Sequence, residues 1–496
     1  MKLNYNYLTC AVFSIALLLT GCKKLVEIDE PIDTVTSTKI FSSDDQADQT
    51  LAGLYSQMIS GDQNLLSTNG GATIYGGLAS DEFKVANSVS FPEDQEFSSN
   101  KMLVDNSMSY GVLWLANYKT IYTANAILDG EAASSSPNLT KRKRIELKAS
   151  AKFFRAYCYF YLSNFFGDVP LALSSNYMVT MRLPRATQSE VYAQIIKDLR
   201  ECVALFSDPD AAVISTKTKV NKAAAQALLA RAYLYVKDWG NAETYATDLI
   251  SNTAFQLETV QKTFDPASRE TILQFTIHPS SNIGISMETA SLSPFVPLSA
   301  LSPSDQEIFL DPGNYLEFLD FLLPKFPVRD ELVNAFETGD QRGKVWLDYN
   351  GSPNVEPFFG KRTYYANKYP RNDIERTNYV LLRLAELYLI RAEARTMQNK
   401  NDLAAADLDL IRNRAGLGKI TATDQQSLLT AVAQERRIEL FAEWGHRFFD
   451  LKRTGRAVSV LSAIPEKQGL TASRLLFPIH SKEILANANL KQNTGY

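Results

Sequence analysis

The sequence predicts a mainly α-helical fold of stacked helical hairpins, interrupted by long irregular insertions. A short motif recurs in apolar helical stretches, as Arg-Ala-Tyr at 155–157 and 231–233 and as Arg-Ala-Glu at 391–393. After the second copy, a short turn leads into another alanine-rich helix, which is the pattern of a tetratricopeptide-like unit. Small alanines let paired helices approach, and stacked hairpins bury one continuous core. Residues 278–370, by contrast, hold ten of the nineteen prolines and cannot be regular helix.

Length and composition narrow the class of protein. A chain of 496 residues is long enough for one large domain or for two or three ordinary ones. A net charge of −4 gives no reason to expect nucleic acid as a partner. The three histidines lie far apart in sequence, and no Cys-x-x-Cys, phosphate-binding loop or Gly-x-Ser-x-Gly elbow is present. We therefore expect no cofactor, no metal and no nucleic-acid partner.

The N-terminus is typical of a bacterial lipoprotein. Residues 11–20 form an apolar run that suits the core of a signal peptide but is too short to span a bilayer. The tetrapeptide 19–22, Leu-Thr-Gly-Cys, places small residues before a cysteine, as a lipidation signal does. The sequence thus predicts a lipoprotein signal peptide at 1–21, lipidation (palmitate) at Cys22, a tether at 22–40 and a single domain at 41–496.

Two helices of the N-terminal half follow from their apolar faces. Residues 44–59 place Ala47, Leu51 and Leu54 on one face, which predicts the first helix of the domain. Residues 142–166 form a long apolar helix, which the glycine and proline that follow it bring to an end.

The C-terminal part is predicted to hold three successive helices. Residues 381–392 are apolar nearly all round, so their helix should lie inside the fold. Asn401-Asp402 is a good N-cap for a second helix, which ends at Gly416. Thr423 and Gln426 make a capping-box signature for the third helix.

The third of these helices carries charges inside its apolar stripes. Such charges stay ionised in a core only if they are paired and hydrogen-bonded. A cluster of carboxylates and arginines can look catalytic, but structural networks perturb pKa values just as readily, and we interpret this cluster as structural. The predicted ion-pair network comprises Glu435, Arg436, Glu439, Arg383, Arg391 and Arg447.

The same residues carry a resemblance to a known family. Segments 391–394, 410–416 and 435–453 look like the C-terminal hallmark of the SusD/RagB family. The tail at 478–496 is also similar, although Thr494 stands where the family often has proline. The resemblance implies a right-handed superhelical scaffold of tetratricopeptide-like hairpins. It also implies an outer-membrane lipoprotein, lipid-anchored and facing the cell exterior, that captures nutrients and most often glycans.

The resemblance further implies the partners and the position of the ligand surface. The partners would be an oligosaccharide or other nutrient, a SusC-like TonB-dependent transporter, and membrane lipid through Cys22. Loops of two insertions, near 60–110 and 278–370, would build the ligand surface. Sugars stack on aromatic rings and need polar side chains at their edges. On that chemistry the candidate ligand-binding residues are Trp346, Tyr349, Asp348, Asn350, Tyr315, Tyr75 and Phe91. The alternative for Trp346 is that it packs inside its insertion.

Two other classes of function remain open at this stage. One is a helical-repeat lipoprotein scaffold that binds a protein or peptide. Long aromatic insertions argue against it, because a scaffold would keep its concave face clear. The other is a glycoside hydrolase, which needs two carboxylates roughly 5–10 Å apart across the scissile bond. No hydrolase motif is present, so we expect a binding protein and not an enzyme.

Overall fold

The computed structural model describes residues 40–59, 65–86, 90–211, 216–277, 285–311, 313, 315–351, 362–371, 373 and 378–496. Its N-terminal half is mainly helical, as predicted. A π-helical turn at Ser109–Leu115 runs straight into the fourth helix. The elements are α1 (Asp44–Ile59), α2 (Gly71–Ala79), α3 (Pro92–Ser99), α4 (Ala116–Ala133), α5 (Lys141–Phe166), β1 (Val169–Pro170), α6 (Tyr177–Thr180), β2 (Arg185–Ala186), α7 (Gln188–Leu205), α8 (Lys222–Tyr235) and α9 (Trp239–Ile250).

The C-terminal half contains the short elements of the second insertion and then the predicted helices. Its strands pair as antiparallel ladders, β3 with β6 and β4 with β5. The elements are β3 (Thr271–Thr276), α10 (Met287–Leu292), α11 (Pro303–Leu310), α12 (Tyr315–Leu322), α13 (Asp330–Val333), α14 (Gln341–Val345), β4 (Leu347–Asn350), β5 (Thr363–Ala366), β6 (Asn378–Arg383), α15 (Leu384–Met397), α16 (Asn401–Arg414), α17 (Gln425–Glu439), α18 (His446–Arg453), α19 (Ala457–Leu461) and α20 (Ser481–Ala486).

The body of the molecule is one continuous stack of helices. Helices α4, α5, α7, α8, α9, α15 and α16 each pack against the next, and α17 closes on α15. At the centre lies α5, whose side chains from Phe153 to Phe166 are all buried. It starts at the N-cap Thr140, which accepts from the backbone of Lys143, and it ends at Gly167 with a left-handed φ of 76°. The predicted mainly α-helical fold is confirmed.

The arginine of the recurring motif joins neighbouring helices at each of its three positions. Arg155 on α5 pairs with Asp198 on α7 at 2.6 Å, and Arg231 on α8 pairs with Glu386 on α15 at 2.6 Å. Arg391 on α15 pairs in the same way with Asp407 on α16, at 2.7 Å. All six side chains are buried, and each guanidinium donates two hydrogen bonds to its carboxylate. The motif therefore fixes the register between adjacent helices.

Helix α2 is covered by the C-terminal end of the chain. A Cβ on Gly76 would lie 2.6 Å from the Cα of Gly445, so the two backbones approach as closely as glycine allows. The backbone N–H of Trp444 donates to Thr73 at 2.8 Å, across 371 positions of sequence. Arg447 on α18 pairs with Asp81, just after α2, at 2.7 Å. The first insertion is thus packed directly on the C-terminal hallmark.

Three predicted helix starts need correction. The first C-terminal helix was predicted from residue 381, but residues 381–383 belong to strand β6, which pairs with β3, and α15 begins at Leu384. The third C-terminal helix, α17, is capped by Asp424, whose side chain accepts from the backbone N–H of Ser427. The predicted capping box of Thr423 is therefore displaced by one residue, because a carboxylate next to the hydroxyl takes the capping position. Helix α16 begins at Asn401 itself, with Lys400 before it and no side-chain cap. In the described ranges, no helix is both long and apolar enough to cross a bilayer.

Candidate ligand-binding cleft

The two long insertions meet around an open cleft of about 930 Å³. We call it the insertion cleft. One wall comes from α1 near Gly53 and from residues 65–68 of the first insertion. The opposite wall comes from residues 107–120, and the edge from Met287, Ser291 and Lys325 of the second insertion. The insertions that the sequence marks as irregular therefore form one concave surface.

Backbone contacts hold the two insertions against each other. The side-chain oxygen of Asn69 accepts from the backbone N–H of Met287 at 3.0 Å. Next to it, Gly70 has a φ of 94°, and a Cβ there would lie 2.8 Å from Glu288. Farther along, the backbone N–H of Lys84 donates to the carbonyl of Pro327 at 3.0 Å, and the backbone N–H of Ala86 donates to the carbonyl of Lys325 at 3.1 Å. The rim of the cleft is therefore built by segments that are far apart in sequence.

The lining of the insertion cleft mixes hydroxyl, amide and ammonium groups with aliphatic side chains. Three buried polar atoms at this surface have no hydrogen-bond partner among the described residues: Nε2 of Gln57, Oγ of Ser67 and Oδ1 of Asn117. Unpaired buried polar groups are costly, so they favour a ligand or ordered water that pairs with them. None of the described residues that line this cleft is an aspartate or a glutamate. Its chemistry suits a ligand rich in hydroxyl groups.

Trp346, the first choice as a stacking platform, is buried in the core. Only 1 % of its surface is exposed, its indole Nε1 donates to the carbonyl of Val260 at 2.9 Å, and its ring packs edge-to-face against Phe264. The prediction is corrected: Trp346 is buried, as the alternative held, but it packs against Val260 and Phe264, which lie outside its insertion. The proline-rich surroundings suggested a surface loop, but Trp346 directly follows α14 and its ring turns inward.

Two further candidates are also buried. Tyr75 lies inside α2, fully covered, and stacks on Phe97 at 4.2 Å between ring centroids. Asn350 donates to the carbonyls of Val296 and Leu322 and accepts from the N–H of Leu298. Both are corrected: Tyr75 fills the core, and Asn350 fixes the loop that precedes α11.

The remaining candidates lie at or near the surface of the two insertions. Tyr349 is 36 % exposed on the hairpin β4–β5, with the Arg362 guanidinium 4.3 Å from its ring centroid. Asp348 accepts a hydrogen bond from the hydroxyl of Tyr365 at 2.7 Å. Phe91 is half-buried, with the ammonium of Lys325 4.1 Å from its ring centroid. The side chain of Tyr315 and the lipidation site Cys22 lie outside the described residues.

Two exposed aromatic residues of the second insertion were missed. Phe295 is 62 % exposed and Phe321 is 45 % exposed, with their rings edge-to-face at 5.6 Å. The guanidinium of Arg371 lies 5.0 Å from the centroid of Phe295. The aromatic content of the insertion was the available signal, but no sequence pattern separated these rings from the buried ones.

The predicted ion-pair residues fall into several buried groups. Glu439 accepts from Arg342, Arg383 and Arg414, and Glu435 also pairs with Arg342. Burial opposes ionisation of Glu439, but the three guanidinium charges outweigh it and hold its pKa well below the usual range. Arg342 was missed in the sequence.

The other members of the predicted network form separate pairs. Arg436 pairs with Asp450 at 2.7 Å, whereas Arg447 pairs with Asp81, just after α2, and Arg391 pairs with Asp407 on α16, as described above. In the part of the chain that the structure describes, no group of three or more His, Cys, Asp and Glu side chains could hold a metal ion. The structural role of these charges stays a prediction.

One carboxyl near the junction of the insertions forms no salt bridge with any cationic side chain that the structure describes. Glu82 follows α2, is fully buried, and its Oε1 accepts no hydrogen bond. Burial, with a smaller effect from the charge of Asp81, raises the pKa of Glu82 to about 8. At neutral pH its carboxyl is therefore largely protonated inside the fold.

Comparison with known proteins gives consistent matches along the chain. Residues 27–234 match the family described as "Starch-binding associating with outer membrane", and residues 334–496 match the "SusD family". SusD-like protein P38 of Formosa agariphila is 24 % identical over 527 residues, which cover 97 % of this chain and 96 % of that protein. The starch-binding protein SusD of Bacteroides thetaiotaomicron is 24 % identical over 429 residues, 72 % of this chain and 74 % of that protein. Among solved structures, a laminarin-binding SusD-like protein shares the fold at a TM-score of 0.71 and 24 % identity, over 92 % of this chain and 100 % of its own.

Proposed function

The chain belongs to the SusD/RagB family, and from that membership we propose that it is a carbohydrate-binding lipoprotein of the bacterial cell surface. Its ligand would be an oligosaccharide held at the insertion cleft. It would pass that ligand to a SusC-like TonB-dependent transporter in the outer membrane, where Cys22 would anchor it. Starch and laminarin, which two of its relatives bind by name, are both glucose polymers, so glucan oligosaccharides are the first ligands to test.

The observation that carries this proposal is the meeting of the two insertions around one polar cleft. A sugar offers several hydroxyl groups, and each of them both donates and accepts hydrogen bonds. The unpaired atoms of Gln57, Ser67 and Asn117 supply one donor amide, one hydroxyl and one acceptor at this surface. Lys119 and Lys325 add two cationic donors. The volume of this cleft, about 930 Å³, lies within the range of about 300–1,000 Å³ that is usual for small-molecule sites.

Binding without cleavage is part of the proposal. Hydrolysis of a glycosidic bond by the common mechanism needs a pair of carboxyl groups beside the scissile bond. The described lining of the insertion cleft offers amides, hydroxyls and lysines instead. The bound oligosaccharide is therefore expected to stay intact over long incubation, with no new reducing ends.

The test uses a substitution that fills the insertion cleft without disturbing the core. Gly53 lines the cleft from the exposed face of α1, and a Cβ there meets nothing within 4 Å. The mature chain starting after Cys22 is first screened on a glycan array, and the affinity for its best ligand is then measured. Gly53→Arg is expected to weaken that affinity at least roughly tenfold, because the long side chain occupies the ligand volume.

The matched control is Gly240→Arg, the same change at an exposed glycine on α9, where a Cβ would lie 4.0 Å from Oδ1 of Asp238. It should bind like the parent, and both variants should melt at or above the parent temperature because glycine is a poor helix former. If Gly53→Arg binds the ligand as tightly as the parent does, the ligand does not bind in this cleft. Release of new reducing ends from the ligand would show that the protein is a hydrolase and not only a binding protein.

A further inference from the structure

A second cleft, of about 680 Å³, lies on the helical body and shares no lining residue with the insertion cleft. We call it the hairpin cleft. It is enclosed by the turn between α8 and α9, by α15 and α17, and by the turn that follows α18. Nothing in the proposed binding of sugars uses this surface.

The charges of the hairpin cleft do not balance. Two carboxylates, Glu393 and Asp450, line it. Both are engaged by Arg453, at 2.7 Å and 2.8 Å, and Asp450 also accepts from Nε of Arg436. The cationic side chains of the lining are Lys237, Arg436, Lys452, Arg453 and Arg456. Cations therefore outnumber carboxylates by five to two in this cleft.

The guanidinium of Arg436 carries hydrogen-bond donors that are not used within the cleft. The side chain is buried, with 2 % of the residue exposed, yet Nη1 and Nη2, the two ends of its guanidinium fork, have no hydrogen-bond partner in the part of the chain that the structure describes. The hydroxyl of Tyr235, in the same lining, is also unpaired. A buried charged donor that is left unpaired destabilises the fold. This arrangement favours an acceptor that enters from outside the chain.

The neighbouring cations lack carboxylate partners too. Arg456 donates from Nε to the hydroxyl of Thr454 at 3.0 Å. Lys452 donates to the backbone carbonyl of Asn164. Throughout the described residues, neither of these side chains nor Lys237 forms a salt bridge with an aspartate or a glutamate. The charges of Lys237 and Arg456 are therefore free to add to the attraction for an anion, whereas burial lowers the pKa of Lys452 to about 7.

We propose that the hairpin cleft is a second binding site, which takes a small-molecule oxyanion — a carboxylate, sulfate or phosphate group — against Arg436. A guanidinium fork matches the paired oxygens of such groups better than any other side chain does. The half-buried Trp239, with Leu429 and Met397, forms an apolar wall beside the charges. The volume exceeds that of a bare ion, so the ligand carries an organic body on its anionic group.

The test measures binding of three sodium salts, of phosphate, sulfate and glucuronate, to the mature chain starting after Cys22. Calorimetry and thermal shift are run against sodium chloride of equal ionic strength. At least one of the three anions is expected to bind and to raise the melting temperature beyond the chloride control, and comparison among them shows which oxyanion is preferred. A shift that chloride reproduces fully, without measurable binding heat, would overturn the proposal and leave ordered water as the partner of Arg436.

Variants distinguish a site from general screening of charge. Arg456→Gln and Lys237→Gln should each weaken binding of the preferred anion roughly fivefold or more. Lys419→Gln, which removes a charge from an exposed loop outside the cleft, should leave that binding unchanged. Arg436→Lys keeps the charge and loses the fork, so its binding should fall further. Equal binding by Arg456→Gln, Lys237→Gln and Lys419→Gln would contradict the site. The glucan affinity of these variants should match the parent, which separates this outcome from the insertion-cleft test.

Discussion

The indole of Trp346 illustrates how one side chain can hold an insertion to the body of the protein. Its ring lies between Phe264 and Phe441, at 5.6 Å and 6.4 Å between centroids, and its N–H is bonded to Val260. Trp346→Ala is therefore expected to lower the free energy of unfolding by about 3–5 kcal/mol, because it opens a cavity and strands a carbonyl. Urea denaturation followed by circular dichroism measures this change.

The comparison for that prediction is Tyr349→Ala, three residues along the chain. Its ring is partly exposed and mainly meets Arg362 and Tyr364, so the loss should be about 1 kcal/mol or less. A parent-like denaturation curve for Trp346→Ala would show that the indole does not support the core, and Trp346 would again be a candidate ligand-binding residue.

Glu82 gives a prediction about pH. Its folded pKa of about 8 lies above the ordinary value of 4.5, so the folded state keeps a proton that the unfolded state releases. Below pH 4 both states are protonated, and the group has no effect on stability. As the pH rises from 4.5 towards 8, the wild type loses about 1.4 kcal/mol for each unit of pH.

Glu82→Gln removes this penalty while keeping the shape of the side chain. The variant should match the parent near pH 4 and become progressively more stable than the parent up to pH 8, as measured by urea denaturation at several pH values. Glu307→Gln, on the exposed side of α11, should show no such trend. A constant difference between Glu82→Gln and the parent across this range would show that the carboxyl is ionised in the fold.

At the scale of one element, the start of α17 depends on a single side chain. Asp424 accepts from the backbone N–H of Ser427 at 3.0 Å and from its hydroxyl at 2.6 Å. Asp424→Ala should therefore cost about 1 kcal/mol of stability. Thr423→Ala, at the exposed neighbouring position, should cost little. Thermal unfolding of both variants decides between them, and a larger effect at Thr423 would restore the original capping box.

Helices were easier to predict than the strands of the insertions. The apolar face of residues 44–59 corresponds to α1 with the same ends, because a helix is set by neighbours three and four residues apart. The hairpin β4–β5 was not predicted, since residues 347–350 pair with residues 363–366 and short local sequence does not specify such a pairing. The unpaired atoms of Gln57 and Asn117 were also missed, because their surroundings depend on contacts between residues that are distant in sequence.

For the whole molecule, the resemblance in residues 435–453 gave the family, and the comparisons confirm it. The sequence also indicated which two insertions form the concave surface. It could not say which of their aromatic rings face outward: Trp346 and Tyr75 are buried, whereas Phe295 and Phe321 are exposed. Burial in an irregular segment depends on contacts with distant elements, and a single sequence does not contain them in readable form.

The proposed location of the whole protein is tested through its predicted lipid anchor. Cys22→Ala is expected to move the protein from the membrane fraction to the soluble fraction, because a stable anchor of this kind needs its acyl chains. Fractionation followed by immunoblotting measures the distribution, in a strain that lacks the partner barrel. Continued detergent-dependent association of the variant in that strain would contradict anchoring through Cys22.

The packing of α2 against the C-terminal hallmark has a consequence for the synthesis of the chain. The partners of Thr73, Gly76 and Asp81 emerge from the ribosome some 370 residues after them, the span of the hydrogen bond from Trp444 to Thr73. The first insertion cannot complete these contacts until residues 444–447 have been made. An N-terminal fragment leaves these buried surfaces uncovered, and such surfaces aggregate. Under the proposed export, the first insertion would therefore stay unfolded, and suited to translocation, until the C-terminal hallmark is made.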